Sequence, residues 1–193
     1  MFLDGVTLAW QGPFGWPGRE QCGLGAVPDA AGVYLLCFPF AGGFLIYGAG
    51  VTRRPVANRL REHTREYVSG RYTILGPDAV ASGVRTEIWH GWAEARRPER
   101  VAEFAARRDE LARAAHRQLA AFRVFVAALP AEARLPNRVE AGIMNALYSA
   151  PPPFCDIPDR GMHLSRRRAS ESPVLVQHRC SHTLHALPAS MEV

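Results

Sequence analysis

Ala31-Gly32-Val33-Tyr34-Leu35-Leu36-Cys37-Phe38 is followed, past Pro39-Phe40, by Ala41-Gly42-Gly43 and then by Phe44-Leu45-Ile46-Tyr47-Gly48-Ala49. Both apolar runs are short, β-favouring and bounded by turn residues, so each predicts a buried strand. A short glycine-rich turn between two strands predicts an antiparallel hairpin. Downstream, Pro55–Ser69 predicts a helix, with Pro55 in its first turn and Gly70 ending it. Val56, Leu60, His63 and Tyr67 recur at helical spacing and give it one inward face, with Arg59 beside that face. Upstream, residues 1–30 are rich in Gly, Pro and Trp and read as an irregular lead-in with a short strand near Val6–Trp10.

Further along, Val84–Trp92 predicts a third strand. Pro98–Leu129 predicts one long helix: Val101, Phe104, Leu111, Ala115, Phe122, Val126 and Leu129 keep a 3.6 period, and Pro130 stops it. Asn137–Ser149 predicts another helix, with Asn137 as N-cap and Val139, Ile143 and Leu147 as its stripe. Residues 154–193 read as a loop, a basic cluster (Arg166-Arg167-Arg168) and a Cys/His-rich tail. The expected organisation is therefore a lead-in over 1–30, a domain over 31–153 and a C-terminal segment over 154–193.

The 193 residues are 48% hydrophobic and 21% charged, which excludes wholesale disorder. The formal charge is +5, and all 23 basic residues are arginine. That balance points to a polyanionic partner, although a GC-rich genome would also favour arginine. Six arginines (53, 54, 59, 61, 65 and 71) face only Glu62 and Glu66, a local +4. No apolar run reaches the ~18 residues a membrane helix needs, and the start lacks the pattern of a secretory signal. The expected compartment is the cytoplasm, with Cys22, Cys37, Cys155 and Cys180 as reduced thiols. His178, Cys180, His182 and His185 cluster in the tail, with Cys155 and His163 upstream. Their spacing matches no common zinc module, so zinc is not the expected occupant.

Four features stand in order along the chain: Gly32-Val33-Tyr34 in the first strand, Gly50-Val51-Thr52 after the second, Arg59-Leu60-Arg61-Glu62-His63 in the helix, and Glu140 within Asn137-Arg138-Val139-Glu140-Ala141-Gly142-Ile143-Met144. With Tyr67-Val68-Ser69-Gly70-Arg71-Tyr72 and Glu87-Ile88-Trp89-His90-Gly91, this order resembles the GIY-YIG nuclease superfamily, over roughly residues 32–153. The resemblance implies an α+β fold with a small three-stranded antiparallel sheet flanked by helices, here with an added long helix. It implies hydrolysis of DNA phosphodiester bonds with one Mg²⁺ or Mn²⁺ ion. Tyr34 would activate the attacking water or relay its proton, Arg59 would hold the phosphate, Glu140 would hold the metal and His63 would assist. Gly32, Gly48, Gly50 and Thr52 would form the motif backbone. Arg53, Arg54, Arg61, Arg65 and Arg71 would meet DNA.

One departure bears on catalysis. The tyrosine of the second motif falls on Gly48; a second register, Ile46-Tyr47-Gly48, also lacks it. Tyr47 replaces the lost phenol only if its strand is bulged or slipped, because neighbours on a strand point to opposite faces. Two alternatives to a nuclease therefore stand: a non-catalytic nucleic-acid-binding relative, and a structural or partner-binding domain.

Overall fold

A computed structural model of the chain describes residues 4–19, 21, 23–129 and 134–193; Cys22 and Pro130 lie outside them. In chain order the elements begin with β1 (Asp4–Phe14), β2 (Gly32–Phe40), β3 (Gly43–Thr52), α1 (Val56–Val68), β4 (Ile74–Leu75), α2 (Pro77–Ala81) and β5 (Glu87–Trp89). After a 3₁₀ turn at Glu94–Arg96 come α3 (Pro98–Ala106), α4 (Arg108–Ala121), β6 (Arg123–Ala127) and α5 (Leu135–Tyr148). The last strands are β7 (Val174–Cys180), β8 (Leu184–His185) and β9 (Ser190–Glu192).

The hairpin forms as expected. Ala41 (φ 45°) and Gly42 (φ 73°) make its two-residue loop, and positive φ at both is the type I′ geometry that matches strand twist. The rest of the sheet departs from expectation. It has seven strands in the order β8-β3-β2-β6-β1-β7-β9, not three, with β1–β7 and β3–β8 parallel and the other pairs antiparallel. The predicted third strand survives only as β5, which pairs with β4 in a separate two-stranded sheet.

The sheet is also curled. Five inter-strand steps separate β8 from β7, about 24 Å if the sheet were flat. Yet Cys180 and Leu184, the end of β7 and the start of β8, are four residues apart, a reach of at most ~14 Å. In that connection His182 meets Phe44 (5.8 Å between centroids) and Phe125 (5.9 Å) edge-on.

Both faces of the hairpin strands are covered, which is why β2 reads as an unbroken apolar run. Tyr34, Leu36 and Phe38 join Leu60 and Tyr67 of α1 and Leu111, Ala115 and Leu119 of α4 in one core. Val33, Leu35 and Cys37 meet Val139, Ile143, Met144 and Leu147 of α5 in the other.

Three further expectations are corrected. The long helix over 98–129 breaks at Arg107 (φ −109°, ψ 16°) and ends at Phe122 (φ −63°, ψ 144°), where the chain turns extended into β6. Phe122 and Val126 are four apart, a spacing that satisfies a helix and a strand alike; the β-branched and aromatic run 122–126 favours the strand. α5 starts at Leu135 with Pro136 in its first turn, so Asn137 is inside the helix and not its cap. The lead-in and the C-terminal segment supply β1 and β7–β9, four of the seven strands. No helix among the described residues is long and apolar enough to cross a membrane.

Candidate active site

A break in strand register shapes the site. Leu36 of β2 stands opposite Gly48, but Cys37 stands opposite Ile46, leaving Tyr47 as an extra residue in a β-bulge. The bulge turns Tyr47 to the same face as Tyr34: Tyr47 packs with Tyr34 and Leu36, while Ile46 goes to the opposite core. β8 pairs with β3 only at Phe44 and Leu45, so the stretch from Gly48 to Val51 lies past the end of that pairing. There α5 packs against the strand, and the Ala49 amide points at Met144 Sδ, 3.2 Å away. An arm around Asp159 also reaches this edge, its amide donating to the Tyr47 carbonyl at 2.8 Å.

At that rim opens a cleft of about 210 Å³, lined by Tyr34, Tyr47, Gly48, Gly50, Arg59, His63 and Glu140 among others. Four expected site residues from β2, α1 and α5 thus meet. Tyr34 lies across Gly50, its partner on β3; a Cβ on Gly50 would come within 2.3 Å of Tyr34 Cζ and Oη. The Tyr34 hydroxyl is 2.8 Å from His63 Nε2, and His63 Nδ1 is 3.2 Å from the Tyr72 hydroxyl. Arg59 Nη1 donates to Glu62 at 3.2 Å, and its guanidinium also lies beside the Tyr34 hydroxyl.

Burial sets the charge states. It pushes the Tyr34 phenol up, with Arg59 opposing, so Tyr34 stays a neutral phenol. Burial, reinforced by Arg59, lowers His63 to about 3, which keeps its imidazole neutral with one donor and one acceptor nitrogen. Burial raises Glu140 to about 7, against the pull of Arg59. No hydrogen bond from another described residue reaches the Glu140 carboxylate.

That carboxylate fits a hard cation: it is a half-buried oxygen donor that no described residue satisfies with a hydrogen bond, and it lines the cleft. Among the described residues no group of three His, Cys, Asp or Glu gathers. The donor set would therefore be one carboxylate, with substrate oxygens and water completing the shell, a pattern Mg²⁺ accepts.

The remaining expected residues are placed as follows. Tyr47 is buried in the cleft floor and donates to Asp159 Oδ2 at 3.1 Å. The space above Gly48 belongs to Met162, whose Sδ would lie 3.9 Å from a Cβ there. Gly32 (φ 148°) opens β2 where a Cβ would strike the Ala127 carbonyl oxygen at 2.2 Å. Thr52 Oγ1 accepts the Arg54 amide at 3.1 Å and fixes the turn into α1. Arg53, Arg54, Arg61, Arg65 and Arg71 are exposed and stand outside the cleft lining. Arg54 pairs with Glu62, Arg71 with Glu66, and Arg61 bonds Asn58. In the tail, His178 Nδ1 accepts from Trp10 Nε1 at 3.2 Å, and His185 Nε2 lies 3.1 Å from the Phe40 carbonyl oxygen. The cluster is thus divided between β7, the short connection after it and β8. Cys37, Cys155 and Cys180 carry free thiols.

Asp159 joins the site without a functional signal in the sequence. It is buried and accepts from Tyr47, from Trp92 Nε1 at 2.9 Å and from the Gly161 amide at 3.2 Å. Burial weakens its acidity, with those donors opposing. In sequence, Pro158-Asp159-Arg160-Gly161 carries only a turn signal. Comparison of the chain with family models, with curated proteins and with solved structures finds no match.

Proposed function

We propose that this cleft hydrolyses a phosphodiester bond of DNA with one Mg²⁺ or Mn²⁺ ion, as the likeness of its motifs to the GIY-YIG nucleases implies. The observation that carries the reading is the meeting of Tyr34, Arg59, His63 and Glu140, from three separate elements, in one cleft of about 210 Å³. Glu140 would hold the ion, which when bound supplies charge neutralisation at phosphate oxygen. Arg59 binds a non-bridging oxygen and offsets charge as it grows. Tyr34, a neutral phenol, orients the attacking water and passes its own proton to His63 Nε2. The exposed arginines of α1 and its flanks add a salt-sensitive hold on the DNA backbone. A cytoplasmic setting belongs to the same proposal.

A second reading, DNA binding without cleavage, is favoured by one observation. The phenol nearest the vacant motif position, Tyr47, is buried and tied to Asp159. A nicking assay separates the two. With Mg²⁺ or Mn²⁺ the protein is expected to cut plasmid or branched DNA, and Glu140→Ala to abolish cutting. Absence of cutting across substrates and metals overturns the nuclease, and salt-sensitive binding alone leaves the second reading.

A further inference from the structure

We infer that Tyr72 is a positioning residue: it accepts the Nδ1 hydrogen of the His63 tautomer whose Nε2 accepts from Tyr34, and it carries the far end of that chain out to a second groove. The inference rests on the proposed reading of the cleft only for what the chain is used for; the arrangement itself stands without it.

The direction follows from donor arithmetic. Arg59 has only N–H donors to offer the Tyr34 oxygen beside it. Tyr34 therefore turns lone pairs to Arg59 and its proton to His63 Nε2, 2.8 Å away. A neutral imidazole that accepts at Nε2 carries its hydrogen on Nδ1. That hydrogen meets the Tyr72 oxygen at 3.2 Å. The Tyr72 hydroxyl hydrogen is then free to point onward. Tyr72 lines both the cleft and a larger groove of about 670 Å³, with Glu66, Arg71, Trp92 and Arg96 in the walls of the latter. The Tyr72 ring is itself fixed, packed on Trp92 (4.6 Å between centroids) and edge-on to Tyr67 (5.2 Å).

In the reaction, water gives a proton to the Tyr34 oxygen as the Tyr34 proton moves to His63 Nε2. The Nδ1 proton moves to the Tyr72 oxygen, and the Tyr72 proton leaves to water in the groove. Hydroxide goes to phosphorus, the P–O bond to the leaving group breaks, and no protein group ends charged. The same transfers run backwards after cleavage, and the proton they return goes to the alkoxide left in the cleft.

The test is ¹⁵N NMR of histidine-labelled, metal-free protein, with the His63 signals assigned from a His63→Gln variant. In the wild type the protonated-nitrogen signal is expected on Nδ1. Tyr72→Phe keeps the ring packing and removes the acceptor, so the hydrogen is expected to stay on Nδ1 but to lose its partner, shifting the Nδ1 signal and speeding its exchange with water. Tyr67→Phe, which alters the neighbouring ring but not the bond to His63, is expected to leave that signal and its exchange unchanged. A wild type already protonated at Nε2, an unchanged Tyr72→Phe spectrum, or an equal change in Tyr67→Phe overturns the inference. None of these readings needs catalysis, so a protein that cuts no DNA sinks the proposed function without touching this one. Where the wild type does cut, Tyr72→Phe lowers kcat at least about tenfold at unchanged KM; an unchanged kcat overturns the hand-off.

Discussion

Gly50 bears no side chain because Tyr34 fills the space one would need, with its ring atoms 2.3 Å from the position of a Cβ. Gly48, two residues earlier on the same face, has only Met162 Sδ near, at 3.9 Å. The two glycines should answer differently to the same change. Gly50→Ala must push Tyr34 off its strand partner and is expected to destabilise by about 2 kcal/mol, with loss of any activity. Gly48→Ala should stay within about 0.5 kcal/mol of the wild type. Denaturant midpoints of the two variants check this. Tyr34, Arg59, His63 and Glu140 were legible in the sequence because the motif order carries them. The difference between the glycines was not, since it depends on which ring crosses which strand. His63 adds a pH signature. Its folded value near 3 lies below the ordinary 6.5, so the unfolded chain binds a proton first. The stability contributed is full above pH 6.5 and is lost as pH falls toward 3. Between pH 7 and 4.5 the advantage of the wild type over His63→Gln should shrink by roughly 2–3 kcal/mol, read from unfolding curves at each pH.

At the scale of elements, local pattern and tertiary demand diverge. α1 was legible because one face of it is buried and its period is unambiguous: Val56, Leu60, His63 and Tyr67 are its buried residues. β6 was not, because the apolar spacing 111, 115, 122, 126 continues a helical period across a true break. The bulge at Tyr47 lies in between. The sequence states what a bulge would do, but only the paired strand shows that it forms. Asp159 is what holds it, since its amide donates to the Tyr47 carbonyl and its carboxylate accepts hydrogen bonds from the Tyr47 hydroxyl and the Trp92 indole N–H. Asp159→Ala leaves those two donors and the Gly161 amide without their acceptor and is expected to cost about 3 kcal/mol. Asp159→Asn retains an acceptor oxygen and is expected to cost less than half of that. Equal losses in the two variants, measured by thermal unfolding, would show that the carboxylate's bonds do not matter.

The whole molecule depends on chain segments far from the motifs. The motif-bearing stretch 31–153 contains β2, β3 and β6 but neither β1 nor β7. Without them β6 loses its second partner, since β1 pairs with it antiparallel and β7 then pairs with β1 over seven residues, from Asp4↔Val174 to Trp10↔Cys180. Leu8, Trp16, Ile157 and Val176 are all almost wholly buried, so their removal strips both cores at once. The sequence understated this because β1 mixes polar residues and two glycines into its apolar run, Asp4-Gly5-Val6-Thr7-Leu8-Ala9-Trp10-Gln11-Gly12. β7 likewise alternates Val176-Gln177-His178-Arg179-Cys180 with charge, as one-sided strands do. A fragment of residues 31–153 is therefore expected to show no cooperative unfolding transition and to bind hydrophobic dye at rest, whereas the full chain unfolds in one step. Fluorescence-monitored urea titration of both decides it. A fragment that unfolds cooperatively with an m-value in proportion to its length would mean that the motif-bearing hairpin, α1 and α5 hold the cleft together on their own, and that the curled outer strands only cover it.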